Sequence, residues 1–229
     1  MRSLILIVAL PAIPLAVAGQ TGHVPSTTLP PQAVAQLAQN LSVSRPHASN
    51  VWRDQAPINA DGTVNGYVEI SRGDLRKWEF SIASNARVID RVMPASVGPY
   101  PVNYGFVPQT VSYDGDPFDI LMLGEPLPGG RMVAGAIAGL FMMDDEKGVD
   151  SKVVLSPVDA GGKPTHVLTD VDRKIIGDYF TTYKRHEPGK FSRVHGWGPA
   201  EAGLAYVTIT HRFFRECGNT RGPCTLRGK

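Results

Sequence analysis

Apolar and polar positions alternate through the middle of the chain. The segment Gly66-Tyr67-Val68-Glu69-Ile70 has the period of two that marks a half-buried strand. Residues 77–82 alternate over six positions, which puts Trp78, Phe80 and Ile82 toward the core and Lys77, Glu79 and Ser81 on the opposite face. Residues 87–92 follow a Ser84-Asn85 turn, so the two segments are expected to form a hairpin. Further strands are expected at 120–123, 132–141 and 152–157. The period changes in the last third. From Asp170, the positions Val171, Ile175, Ile176, Tyr179, Phe180 and Tyr183 recur at helical spacing, with Thr169 or Asp170 as cap and Pro188-Gly189 as stop. A second helix is expected from Pro199 through Leu204 and Val207 toward Phe214, against the β-branched run Thr208-Ile209-Thr210. Strands followed by helices, with no internal repeat, give a β-rich α+β fold class.

The ends read differently. Arg2 precedes an apolar run from Leu4 to Val17, and Ala16-Val17-Ala18 is a small-residue cleavage pattern. Pro11 and Pro14 interrupt a run already short for a membrane span. Residues 1–18 are therefore expected to be a signal peptide, leaving an exported chain, periplasmic or secreted, with no stable span; an uncleaved anchor is the other reading. Residues 19–50 are rich in Ser, Thr, Pro, Gln and Ala, and only 33–38 suggest a short helix. They read as a flexible N-terminal arm, free or lying on the domain. Residues 51–215 form the domain, and 216–229 the tail. The only two cysteines, Cys217 and Cys224, fall in that tail. Export and an even count favour a disulfide between them, with two free thiols as the other reading.

Composition narrows the function. The chain has 229 residues and 42% hydrophobic content, enough for one domain of ordinary size. A net charge of +2 argues against general nucleic-acid binding. The chemistry is concentrated at Asp114-Gly115-Asp116-Pro117-Phe118-Asp119. Pro117 disfavours helix at Asp116, so a turn leading into an extended run is expected. Three carboxylates so close repel one another unless a cation lies among them, and hard oxygen donors suit Mg²⁺, Mn²⁺ or Ca²⁺. A solvated acidic turn is the other reading. Farther along lie Asp144-Asp145-Glu146 and Asp150-Ser151-Lys152, while Lys77, Arg91, Lys152 and Lys184 supply cations that a phosphate group needs.

With these residues in view, the chain resembles the soluble family I inorganic pyrophosphatases. The signature D-G-D-P-x-D stands at Asp114 to Asp119. Glu69-Ile70, Lys77-Trp78-Glu79, Asp90-Arg91, Tyr100-Pro101-Val102-Asn103-Tyr104-Gly105, Asp145-Glu146, Asp150 to Lys152, Tyr183-Lys184 and Gly189-Lys190 follow the family's order from about residue 66 to 198. The resemblance implies a small, twisted, OB-like five-stranded β-barrel flanked by two main C-terminal helices. It also implies Mg²⁺-dependent hydrolysis of pyrophosphate to two orthophosphates (EC 3.6.1.1), with Mn²⁺ or other divalents as substitutes. By residue match, Asp114, Asp119 and Asp150 bind the tightest metal, and Asp119 also touches a second. Asp145 and Asp150 hold a substrate-borne metal, with Glu79 nearby and Glu69 ordering water. Asp116 matches the residue that accepts a proton from the attacking water. Lys77, Arg91, Tyr104, Lys152, Tyr183 and Lys184 grip phosphate, and Tyr100 supports that wall.

The leader, the arm and the tail cysteines depart from the family's usual cytoplasmic pattern. Bacterial relatives commonly form hexamers, which implies a homo-oligomer, a hexamer among the candidates. The stretch Asp178-Tyr179-Phe180-Thr181-Thr182, however, lacks the histidines often found at that interface. Two alternatives remain in sequence terms: an exported metal-dependent phosphohydrolase for another phosphoanhydride or an organic phosphate, and a non-catalytic OB-like module binding metal or polyanion.

Overall fold

The computed structural model describes residues 24–228. The expected leader over residues 1–18 and its cleavage site lie outside them. The chain runs β1 (Thr28–Leu29), α1 (Pro31–Ser44), α2 (Val51–Asp54), β2 (Val64–Ile70), β3 (Arg76–Ser81), β4 (Ala86–Val92), β5 (Asn103–Val107) and β6 (Phe118–Met122). It continues through β7 (Met132–Asp145), β8 (Gly148–Val149), β9 (Lys152–Pro157), α3 (Asp170–Thr182), β10 (Ser192–Gly198), α4 (Ala200–Cys217) and β11 (Cys224–Thr225).

Five strands close on themselves in the order β7-β2-β5-β6-β9, with β9 returning to β7. The closure depends on β7. Its 14 residues pair with β2 at one end and with β9 farther along, across an irregularity between Ile137 and Gly139. Such a bulge bends a strand and increases its twist, which a small barrel requires. All ring pairings are antiparallel except β6 with β9. The β3–β4 hairpin is a separate two-stranded sheet, as the alternation over 77–82 and 87–92 predicts.

The apolar run of β6 is buried on both faces because different layers cover it. Ile120 and Met122 join Val153, Leu155 and Val207 in one core cluster, whereas Leu121 and Leu123 join Val154, Ile176 and Phe180 in another. α3 covers the second cluster. α4 seals the first, approaching so closely that a Cβ on Gly203 would meet the Gly139 carbonyl at 2.8 Å. Full burial of each Leu, Ile or Val contributes about 1.5–3 kcal/mol, so these clusters hold the barrel and both helices as one unit.

Thr169 caps α3 through a reciprocal box with Asp172. The helix ends at Thr182, earlier than the Pro188-Gly189 stop read from sequence, and the chain then turns so that Lys184 reaches Asp145 and Glu146. α4 runs through the β-branched run because Thr210 is buried and its hydroxyl donates back to the Tyr206 carbonyl.

The arm is corrected in its described part. Instead of a short helix in a flexible segment, α1 spans 14 residues, and Leu29, Ala33, Val34 and Leu37 are buried with Trp52, Phe213 and Leu226. The period of apolar positions continues past residue 38 to Leu41, and Pro31 in the first turn starts the helix. β1 pairs with β11 in the tail, so the two ends of the described chain meet. The sulfurs of Cys217 and Cys224 lie within bonding distance. Among the described residues, no helix is long and apolar enough to cross a membrane.

Candidate active site

The acidic turn is shaped by its own hydrogen bonds. Gly115 takes a φ of +95°, the left-handed region that favours glycine. The Asp116 N–H donates to Asp114 Oδ1 at 3.1 Å, the Ser112 N–H to the Asp116 carbonyl at 2.7 Å, and the Phe118 N–H to Thr110 Oγ1 at 2.9 Å. The turn thus delivers Asp114 and Asp116 to the end of β6, whose first turn of alternation places Asp119 on the same side of the barrel.

A cavity of about 350 Å³ opens there. It brings together Asp114, Asp116 and Asp119 from the turn and β6, Asp145 and Asp150 from either side of β8, and Glu69 from β2. Lys77, Glu79 and Arg91 come from the hairpin, Tyr104 from β5, and Tyr183 and Lys184 from the end of α3. Two residues expected in the site do not line it. Lys152 is 1% exposed and lies one layer behind, donating to Asp119 Oδ2 at 2.7 Å and Asp150 Oδ1 at 2.6 Å. Tyr100 is buried behind Tyr104, ring centroids 5.9 Å apart, and borders a different cavity with Arg72 and Ile176.

Other pocket residues had not been given roles. Lys147 bridges Asp114 at 3.4 Å and Asp116 at 3.5 Å. Glu146 shares Lys184 with Asp145, at 3.1 and 2.6 Å respectively. Asp90 accepts from Lys77 at 3.2 Å, and Glu187, which does not line the cavity, links the lining residues Arg91 and Lys190. Lys147 follows Asp145-Glu146 in a tight turn before Gly148, its N–H donating back to Asp145 Oδ1 at 2.8 Å, but its side chain crosses to a turn more than thirty residues away, which no local signal marks.

The electrostatics are those of an overfilled acidic pocket. Nine carboxylate side chains and five cationic ones line it. Burial, opposed by Lys152 but reinforced by Asp119 and Asp145, pushes the Asp150 carboxyl up to about 7. Loss of solvent and the neighbouring Asp114 push Asp116 up to about 6. Burial pushes Glu69 up to about 8, although its carboxylate accepts the Phe80 N–H at 2.5 Å. Burial pulls the Lys152 ammonium down, but Asp119 and Asp150 outweigh it and hold it above the usual lysine range. Tyr104 stays a neutral donor: burial and Asp119 raise its phenol well above the usual range, and it donates to Asp119 Oδ2 at 2.5 Å.

The expected carboxylate cage is not closed. Among the described residues, no three His, Cys, Asp or Glu side chains form a group ready to hold a metal ion. The ammonium groups of Lys147, Lys152 and Lys184 stand between the carboxylates as internal counter-ions. The donor set nevertheless fits hard divalent cations. It is all oxygen, it carries more negative than positive groups, and burial, with neighbouring carboxylates adding to it, pushes Asp116 and Asp150 toward protonation.

Fold and pocket define a class: a closed-barrel enzyme whose acidic, lysine-edged cavity handles a small multiply charged anion together with divalent cations. The sequence profile described as inorganic pyrophosphatase matches residues 66–215, and the chain belongs to that family. An inorganic pyrophosphatase of Aeropyrum pernix is 38% identical over 154 residues, covering 64% of this chain and 85% of the relative. That of Halobacterium salinarum is 36% identical, covering 73% and 98%. The crystal structure of inorganic pyrophosphatase from Thermus thermophilus superposes with a TM-score of 0.67 at 32% identity, covering 73% of this chain and 99% of that one.

Proposed function

We infer that the chain hydrolyses inorganic pyrophosphate to two orthophosphates, with divalent cations, Mg²⁺ first, held by the pocket carboxylates. The observation that carries the reading is the gathering, around one cavity, of the 114–119 turn with Asp145, Asp150, Lys77, Arg91 and Lys184 in a chain of this family. Asp114, Asp119, Asp145 and Asp150 would hold the ions, with Glu79 and Glu69 at the edge. Bound there, divalent cations neutralise the diphosphate and make water acidic enough to ionise near neutral pH.

The residues of the chain then have definable tasks. Asp116 orients the attacking water and takes its proton as the water oxygen bonds to one phosphorus and the bridging P–O bond breaks. A carboxyl pushed up to about 6 suits that task near neutral pH. Lys77, Arg91 and Lys184 bind the outer phosphate oxygens. Tyr104 and Tyr183, kept as phenols, donate hydrogen bonds at the inner wall. Lys152 holds Asp119 and Asp150 at their separation and supplies positive charge from behind, with Tyr100 packed under Tyr104.

Orthophosphate release from pyrophosphate, ATP and tripolyphosphate, with Mg²⁺, tests the reading. Pyrophosphate is expected to dominate, and Asp116→Asn to lower kcat by about 10²–10⁴-fold. Equal turnover of ATP would move the chain to another phosphoanhydride, and wild-type turnover in Asp116→Asn would remove the assigned base.

Export belongs to the same reading. The Leu4–Val17 run and the Ala16-Val17-Ala18 site support it. So does the pair Cys217 and Cys224, whose Cα atoms, 5.7 Å apart, suit a disulfide. N-terminal sequencing of the fractionated protein and thiol labelling check both; an intact Met1 on a cytosolic product with two free thiols contradicts them. A homo-oligomer is the proposed assembly, supported by the exposed apolar Val171 and Ile175 on α3; sedimentation equilibrium tests it.

A further inference from the structure

One contact to the acidic turn comes from outside the family-matched residues. α1 packs directly on the turn backbone: a Cβ on Gly115 would lie 2.5 Å from Gln36 Cβ and 3.3 Å from Ala33 Cα. Gln36 Nε2 donates to Asn40 Oδ1 at 2.9 Å. That engages the carbonyl end of the Asn40 amide and leaves its nitrogen to donate to the Gly115 carbonyl at 3.3 Å. Asn40 is 7% exposed. Gly115 stands between Asp114 and Asp116. The residue before the turn is held by the same arm, since Tyr113 OH donates to the Ser26 carbonyl at 2.9 Å. The arm is itself anchored, through the β1–β11 pairing and the Leu226 N–H donating to the Thr27 carbonyl at 2.9 Å.

We propose that Asn40, oriented by Gln36, is a positioning residue for the Asp114–Asp116 turn, so that a helix outside the family-matched segment sets the geometry of the active site. The inference rests on the pyrophosphatase reading for its kinetic readout only. A carboxylate turn that must place a water and its acceptor within hydrogen-bond reach loses rate steeply when it loosens. One lost hydrogen bond to such a turn corresponds to a factor of about five to ten in kcat.

The test uses the full chain with Asn40→Leu, which keeps the buried volume, and Gln36→Ala, which keeps the helix. Amide hydrogen exchange over residues 112–119 is measured beside exchange over β9, together with kcat and KM for pyrophosphate at saturating Mg²⁺. Asn40→Leu is expected to speed exchange in 112–119 but not in β9, and to lower kcat about five- to tenfold with KM within about twofold. Gln36→Ala is expected to act in the same direction by about two- to threefold. Unchanged exchange and kcat in Gln36→Ala, or exchange rising equally in β9, overturns the proposal, and Gln36→Ala decides the matter if Asn40→Leu does not fold. A wild-type chain that leaves pyrophosphate intact overturns the functional reading instead, and the exchange pattern alone then judges Asn40.

Discussion

The two walls of the pocket use the same residue types under different conditions. The barrel wall presents Tyr104 from β5, Asp119 from β6 and Asp150 from the lead-in to β9, tied by hydrogen bonds of 2.5–2.7 Å and backed by the Lys152 ammonium, which is 1% exposed. The hairpin wall, Lys77, Glu79, Asp90 and Arg91, stands on the separate β3–β4 sheet, and the Lys77–Glu79 pair has side-chain exposures of 22% and 51%. In the first wall, charges interact in a low dielectric and each depends on its partner. In the second, water screens them and partners are exchangeable. Under the proposed function, the contrast suits the barrel wall to holding the geometry of the site and the hairpin wall to receiving an incoming anion.

Breaking the barrel wall has the largest expected effect. Lys152→Met leaves Asp119 and Asp150 facing each other without their cation. It is expected to destabilise the metal-free protein by about 3 kcal/mol, a melting-temperature fall of about 6–12 °C in a chain of this size, and to abolish most activity. A variant that melts like the wild type contradicts the contrast. On the hairpin wall, Lys77→Ala is expected to cost about tenfold in kcat/KM for pyrophosphate, more at low salt than at high, while stability changes by less than about 0.5 kcal/mol. A stability loss like that of Lys152→Met would erase the distinction.

A further test separates pocket carboxyls from structural ones by the sign of their pH dependence. Glu69 has a folded pKa raised from 4.5 to about 8. The folded state therefore binds more protons over that interval, and its contribution falls as pH rises from about 4.5 through 8. Glu69→Gln is expected to flatten this decline in metal-free denaturant titrations. Asp172 runs the other way. Burial raises its carboxyl, but the Thr169 hydroxyl and backbone N–H outweigh that and hold it below its usual value. Its contribution is present above about pH 4 and lost as pH falls through the lowered pKa, so Asp172→Asn is expected to soften only the acid limb.

Much of this was legible in the chain because the signals were local. The β3–β4 hairpin follows from strict alternation around a turn, and α3 from its spacing and the Thr169 cap. The acidic residues of the pocket were found because a Gly-Asp-Pro turn and the family pattern mark them. What escaped depends on distant partners. β5, Asn103–Val107, is buried on both faces and shows no alternation. β10, Ser192–Gly198, carries a bulge between Val194 and Gly196 that breaks its period. The pairing of β1 with β11 joins residues nearly two hundred apart. Nothing local reveals that Lys152 lies behind the pocket surface, because its position follows from the parallel β6–β9 pairing.

The central claim is that the acidic pocket works on diphosphate only when divalent cations offset its excess of carboxylates. Orthophosphate release from pyrophosphate, followed as Mg²⁺ is titrated into the metal-free full chain, tests it most directly. The account predicts negligible release without metal, a rise that saturates with Mg²⁺, and two orthophosphates for each pyrophosphate consumed. Undiminished release in the presence of a strong chelator, or none at any Mg²⁺ concentration, would contradict it.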